Sequence, residues 1–153
     1  MLFYGMEQNN NEQPDENTKR FIAVLNEKIE IGRLLNALGH MTAGLVSQFK
    51  NVEELCFLQY KDKDGGAHPS ISHFPFIVLK AENSNQLRKV RQEAITRGIT
   101  YTDFTSTMIV GTSADQVQAT AASTEAELEY FGVCIFGDTT ILKEFTKKFS
   151  LFR

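Results

Sequence analysis

The run Phe21-Ile22-Ala23-Val24-Leu25 has no polar position on either face. That is the pattern of a strand buried on both sides of a sheet. Directly behind it the apolar period changes from two to 3.6. Ile31, Leu34, Leu35, Leu38, Met41, Thr42, Leu45 and Phe49 fall on one side of a helix, and Arg33, Asn36, His40, Ala43, Gly44 and Ser47 on the other. The pair predicts a strand over 20–26 and an amphipathic helix over 31–49. Gly39 and Gly44 each cost that helix about 1 kcal/mol relative to alanine. They read either as a sign of close approach by another element, inside the fold or across a dimer contact, or as tolerated helix glycines.

Further along, residues 54–61 read as a second strand, with Leu55 and Phe57 alternating against Cys56 and Leu58. Asp62-Lys63-Asp64-Gly65-Gly66 is a turn signal, and the stretch through His68, Pro69 and His73 reads as a loop. Phe74-Pro75-Phe76-Ile77-Val78-Leu79 is another buried strand, with Pro75 near its start or at an edge. Asn83-Ser84-Asn85-Gln86 opens a helix with capping-box spacing. Leu87, Val90, Ala94 and Ile95 form its buried stripe, and Gly98 stops it. Residues 99–104 are strand-like, so strand, helix and strand make a βαβ unit with parallel strands. Residues 113–123, rich in Ala, Gln and Thr, show no clear period. Thr124-Glu125-Ala126-Glu127 repeats the capping box and predicts a short helix through Tyr130. A last buried strand over 132–136 leads to a helix that Asp138 caps, with Ile141, Leu142, Phe145 and Phe149 inward.

Composition narrows the class. A chain of 153 residues is one domain with a real core. Residues 7–18 are polar and acidic with no apolar period, so 1–18 is expected to be a flexible tail and 19–153 the domain. The apolar Leu2, Phe3, Tyr4 and Met6 could dock, with no indicated place. The net charge of −3 argues against a dedicated nucleic-acid binder and against membrane-surface binding. No apolar run is long enough to span a bilayer, and no cleaved signal is expected. Cys56 and Cys134 read as small buried hydrophobes without a partner base. A reducing, cytoplasmic setting fits them.

Ligands of α/β sheets gather at the carboxyl ends of parallel strands. The first strand ends near Asn26, and the second strand of the βαβ unit near Asp103. Parallel strands would bring Asp103 to Thr107 close to the start of the long helix. Those residue types suit acid–base hydrolysis. Asp103 or His40 would orient or deprotonate a water. Thr107 or backbone N–H groups would stabilise an oxyanion, and Arg33 would hold a phosphate or carboxylate. Against this, His40 lies ~13 Å along the helix axis. It also reads as a solvated surface histidine, Arg33 as a solvated helix charge and Asp103 as a turn or cap carboxylate.

No metal or cofactor is expected. His68 and His73 lack further ligands, and Asp62-Lys63-Asp64-Gly65 lacks the terminal acid of a calcium loop, since His73 stands there. Lys143, Lys147 and Lys148 complement the dipole of the last helix. A tRNA-backbone contact by them, or by Arg88, Lys89, Arg91 and Arg97, is a secondary reading; those four do not share one helix face.

The order of elements resembles the type II peptidyl-tRNA hydrolase fold. In that family's first motif Gly32 and His40 match, while Arg33 replaces a lysine and Ala37 a glutamine. In the later motif Asp103 and Thr107 match, and the glycine, arginine and glutamine are gone. The chain is more similar to an uncharacterised bacterial family sharing that fold, through Leu35-Asn36-Ala37, the Asp-rich hairpin turn, His73-Phe74-Pro75-Phe76-Ile77-Val78-Leu79-Lys80-Ala81 and Tyr130-Phe131-Gly132-Val133. The resemblance implies a three-layer α/β/α fold with a small mixed, partly parallel sheet, and it carries no hydrolase activity over. The leading expectation is therefore a small ligand or partner protein bound in a crevice of Gly32, Arg33, Asn36, His40, Asp103 and Thr107. Peptidyl-tRNA hydrolysis by a degenerate motif is second. A homodimer through Gly39, Ala43 and Gly44 is third.

Overall fold

Side-chain alternation along two central strands divides the molecule into layers. The computed structural model describes residues 13–153. In chain order the elements are β1 (Lys19–Asn26), α1 (Ile31–Ser47), β2 (Phe57–Lys61), β3 (Ala67–Ser72), β4 (Phe76–Ala81), α2 (Ser84–Thr96), β5 (Thr100–Thr105), α3 (Ser113–Ala121), β6 (Tyr130–Asp138), α4 (Thr139–Thr146) and β7 (Ser150–Leu151). Five strands form one sheet in the order β5-β6-β1-β4-β7, and β2 and β3 form a separate two-stranded ribbon. β1 and β4 are parallel; β6 runs against both β1 and β5.

Phe21, Ala23 and Leu25 of β1 pack with Leu34, Ala37, Met41 and Leu45 of α1 on one face. Ile22 and Val24 pack with Leu87, Val90 and Ala94 of α2 and Leu142 of α4 on the other. Both faces of β1 and β6 are thus apolar because helices cover both. The seam of α1 is narrower than its sequence suggests. Ala37 is fully buried, whereas Ile31 and Leu35 are 54% and 60% exposed. A helix lying against a sheet buries the line 34-37-41-45, and residues a further 60–100° round the wheel stay outside. On α2, Ile95 is likewise exposed.

Other expectations need correction. Residues 52–55 form one 3-10 turn, not strand, with Asn51 accepting from the Glu53 N–H. Cys56 follows at φ 50° and is only half-buried. β3 was hidden by Pro69 and by its lack of apolar alternation; its residues are almost all exposed. The stretch 124–130 makes a single 3-10 turn, Glu125–Glu127, with Tyr130 already in β6. The unpatterned 113–123 stretch contains α3, set by a capping box from Thr112 to Asp115. In the βαβ unit, β4 and β5 do run in one direction, but β1 and β6 lie between them.

One helix glycine has an internal reason. A Cβ on Gly44 would meet the Thr102 methyl at 3.3 Å, so α1 approaches β5 closely there, whereas Gly39 faces open space. Leu2, Phe3, Tyr4, Met6 and most of the predicted tail lie outside the described residues. Of its last residues, Thr18 O accepts from the Thr139 N–H, and His73 Nε2 lies 2.7 Å from Pro14 O. Among the described residues no helix is long and apolar enough to cross a membrane.

Candidate functional site

The residues singled out at the rim do not converge. β1 and β5 end at the same rim, but β6 stands between them, which sets their ends about 10 Å apart. Alternation then sends neighbouring side chains of β5 to opposite faces. Thr102 Oγ1 donates to Met41 O of α1 at 2.8 Å, and Phe104 stacks 6.0 Å from the His40 ring. Asp103, between them, accepts from Arg91 Nε of α2 at 3.2 Å. The sheet therefore separates Asp103 from His40, Arg33 and Asn36. Gly32, Arg33 and Asn36 are exposed on α1, with Arg33 at 4.0 Å from Glu30. Thr107 lies in the 3-10 turn after β5, its hydroxyl in a chain with those of Thr105 and Thr120 at 2.7 and 2.8 Å.

A different set gathers at that rim. Because β4 is the parallel neighbour of β1, the loops after these two strands emerge side by side. They border a cleft of about 460 Å³ lined by Asn26, Lys28, the start of α2 (Asn83, Ser84, Asn85, Arg88) and the segment 126–129. Asn26, 3% exposed, ties the parts together. Its Nδ2 donates to Tyr130 O at 3.0 Å, and its Oδ1 accepts from the Lys28 N–H at 3.1 Å. Ser84 Oγ accepts from the Tyr130 N–H at 3.0 Å. Asn83 caps α2 by accepting from the Gln86 N–H.

Arg88 builds the far wall. Its Nε donates to Glu125 Oε1 at 2.7 Å, its Nη2 to the carbonyls of Leu128 and Glu125 at 3.0 and 3.2 Å, and its Nη1 to Asn85 Oδ1. A planar fork of five donors can do this; an ammonium cannot. Lys28 is exposed at the near wall and enters no ion pair with a described residue.

Behind Arg88 sits a second polar layer. Tyr130 Oη donates to Glu125 Oε1 at 2.9 Å, and burial, reinforced by that bond, pushes the phenol up to about 12. Burial also raises the Asp103 carboxyl above its ordinary value, against the pull of Arg91. Cys134 is pushed up to about 12 by burial, and burial also raises Cys56, so neither thiol ionises readily at neutral pH.

The raised Asp103 carboxyl has a testable sign. The unfolded chain ionises first as pH rises past about 4. This group therefore contributes stability below that pH, and the contribution is lost as pH rises through the folded value. Asp103→Asn removes the titration but keeps an acceptor for Arg91. In thermal melts from pH 3.5 to 7, the wild-type melting temperature minus that of the variant should fall with rising pH and then level off. A difference that rises with pH would contradict the burial argument.

A mixed sheet between helices, with a polar cleft where its parallel pair ends, makes this an α/β domain. The chain belongs to the family described as "Protein of unknown function (DUF2000)", whose model matches residues 19–153. It is also similar to a protein of unknown function from Agrobacterium tumefaciens strain C58. That similarity has a TM-score of 0.76 at 22% identity and covers 89% of this chain and 98% of the other, a likeness that shows the fold. No curated protein matches the chain.

Proposed function

We propose that this protein binds a small molecule carrying a carboxylate or phosphate group in the cleft between the ends of β1 and β4, and that it does not hydrolyse peptidyl-tRNA. The observation carrying this is the convergence of Lys28 and the first turn of α2 on one cleft of about 460 Å³, a size suited to a metabolite. The N–H groups of Ser84 and Asn85 precede the helix's own hydrogen-bond ladder and attract negative charge. On the far wall Glu127 is occupied by the Thr124 N–H, and Glu129 suits a donor or cationic group at the other end of the ligand.

The test is a thermal-shift screen of small carboxylates and phosphomonoesters. A true ligand at 100 times its Kd should stabilise the fold by about 2.7 kcal/mol. Lys28→Ala should weaken such a ligand by about tenfold, one lost charge-assisted contact. A hit whose Kd is unchanged in Lys28→Ala and Lys28→Glu would contradict the site.

The resemblance of Gly32, His40, Asp103 and Thr107 to motif positions of type II peptidyl-tRNA hydrolases supports a second reading, a hydrolase with a degenerate motif. It has less behind it, because Asp103 is engaged by Arg91 and lies across the sheet from His40. Cleavage of peptidyl-tRNA by the purified protein, lost in Asp103→Ala, would favour it. The homodimer reading is weaker because Gly44, one of its three residues, packs on β5.

A further inference from the structure

The outer layer of the fold carries charge opposite in sign to the chain as a whole. Residues 84–97 hold Arg88, Lys89, Arg91 and Arg97 against Glu93 alone, and residues 139–148 hold Lys143, Lys147 and Lys148 against Glu144 alone. The net charge of −3 therefore hides a basic face on an otherwise acidic body. The arginines of this face are used internally. Arg88 pairs with Glu125, Arg91 with Asp103, and Arg97 with both Glu93 and Glu144. Those pairs take up the only two acids of the layer. Lys89, Lys143, Lys147 and Lys148 are exposed and pair with no carboxylate among the described residues.

Three of these lysines share one feature. Lys89, Lys147 and Lys148 line a groove of about 380 Å³ between α2 and α4, with Val90 and Phe145 and with the carboxylates of Glu93 and Glu144, both of which Arg97 neutralises. We propose that this groove docks the phosphate backbone of a nucleic acid. An acidic protein segment is the competing occupant, and the lining argues against it. Protein interfaces are anchored by large apolar or aromatic side chains entering pockets. Here Val90 is 1% exposed and Phe145 is half-buried beneath the Arg97 guanidinium, 5.1 Å away. With its two carboxylates held by Arg97, the charge the groove leaves unpaired is that of ammonium groups on flexible stems, which meet phosphates as point charges and read no sequence. The acidic remainder of the chain repels a polyanion elsewhere and confines it to this face.

The experiment is fluorescence anisotropy of the full chain with a fluorescein-labelled 20-nucleotide single strand and with a hairpin duplex. Binding without sequence preference is expected, with Kd roughly 10⁻⁶ to 10⁻⁴ M. Three phosphate contacts should weaken it about 20- to 40-fold between 50 and 200 mM NaCl. The combined variant Lys89→Glu, Lys147→Glu and Lys148→Glu should lose binding yet keep a cooperative melt, since all three side chains are exposed, lowered only by the small cost of acids at the C-terminus of α4. Lys28→Ala, in the separate rim cleft, should bind nucleic acid normally, which keeps this outcome independent of the small-ligand reading. Absence of binding at 20 mM NaCl, equal affinity in the triple variant, or equally tight binding of a polyglutamate peptide would each overturn the proposal.

Discussion

Replacing Gly132 by valine is expected to destabilise the protein by about 3 kcal/mol or more, at the upper end for overpacked cores. Gly132 lies in β6, between β1 and β5 in the sheet, on the face that α1 covers. A Cβ there would stand 2.8 Å from Leu25 Cδ2 and from Met41 Cε, and 3.1 Å from Val24 O. The two side-chain ends could swing aside. The carbonyl belongs to the backbone of the central strand and cannot move without shifting its pairing. The site is also irregular: Phe104 pairs with Gly132 and Thr105 with Tyr130, so Phe131 is the extra residue of a bulge. At roughly 2–4 °C per kcal/mol for a chain of this size, the melting temperature should fall by about 6–12 °C. Gly137→Ala is the control, since its Cβ would find its nearest neighbour at 3.6 Å. A Gly132→Val protein melting within 2 °C of the wild type would show that the sheet and α1 are not packed as described.

The second large effect concerns Arg88→Ala, expected to cost about 1–2 kcal/mol: Glu125 is exposed and stays solvated, but a guanidinium that also bonds backbone carbonyls is worth more than an isolated surface ion pair. The lost fork would leave the carbonyls of Glu125 and Leu128 without this donor, and Glu125 with only the Tyr130 hydroxyl. The loss should be local as well as global. The N–H groups of Glu127 and Leu128, which bond to Thr124 O and Glu125 O, should exchange with solvent faster than in the wild type. Arg88→Lys should recover only part of the stability, because an ammonium cannot reach the same acceptors at once. Full recovery by lysine would reduce Arg88 to a surface charge.

The elements of this fold were largely legible, and the site was not, for one physical reason. Periodicity reports which side of a segment is buried, so β1, α1, α2, β6 and α4 stand out through their own residues. The Asn83 cap and the Gly98 stop, at φ +65°, behave as their chemistry predicts. Periodicity does not report strand order. Pairing the end of β1 with the end of β5 put Asp103 beside the start of α1, whereas the antiparallel β6 occupies that place and β4 is the parallel neighbour. The same Asp103 also illustrates the period-two rule: one residue along β5 decides between the α1 face of Thr102 and the α2 face of Asp103. Lys28, Ser84, Asn85 and Arg88 gave no motif of their own. The only available signal was the Asn83 cap directly behind a buried strand, which marks a helix N-terminus at a sheet rim. β3 was missed because a ribbon exposed on both faces has no apolar period to read.

The rim cleft is tested most directly by two-dimensional amide NMR of the full chain during titration with an anionic hit from the ligand screen. Shifts confined to Lys28, Ser84, Asn85, Arg88 and residues 126–129 are the predicted result. Shifts centred on Arg33, Asn36 and His40 of α1, with the start of α2 unmoved, would contradict it.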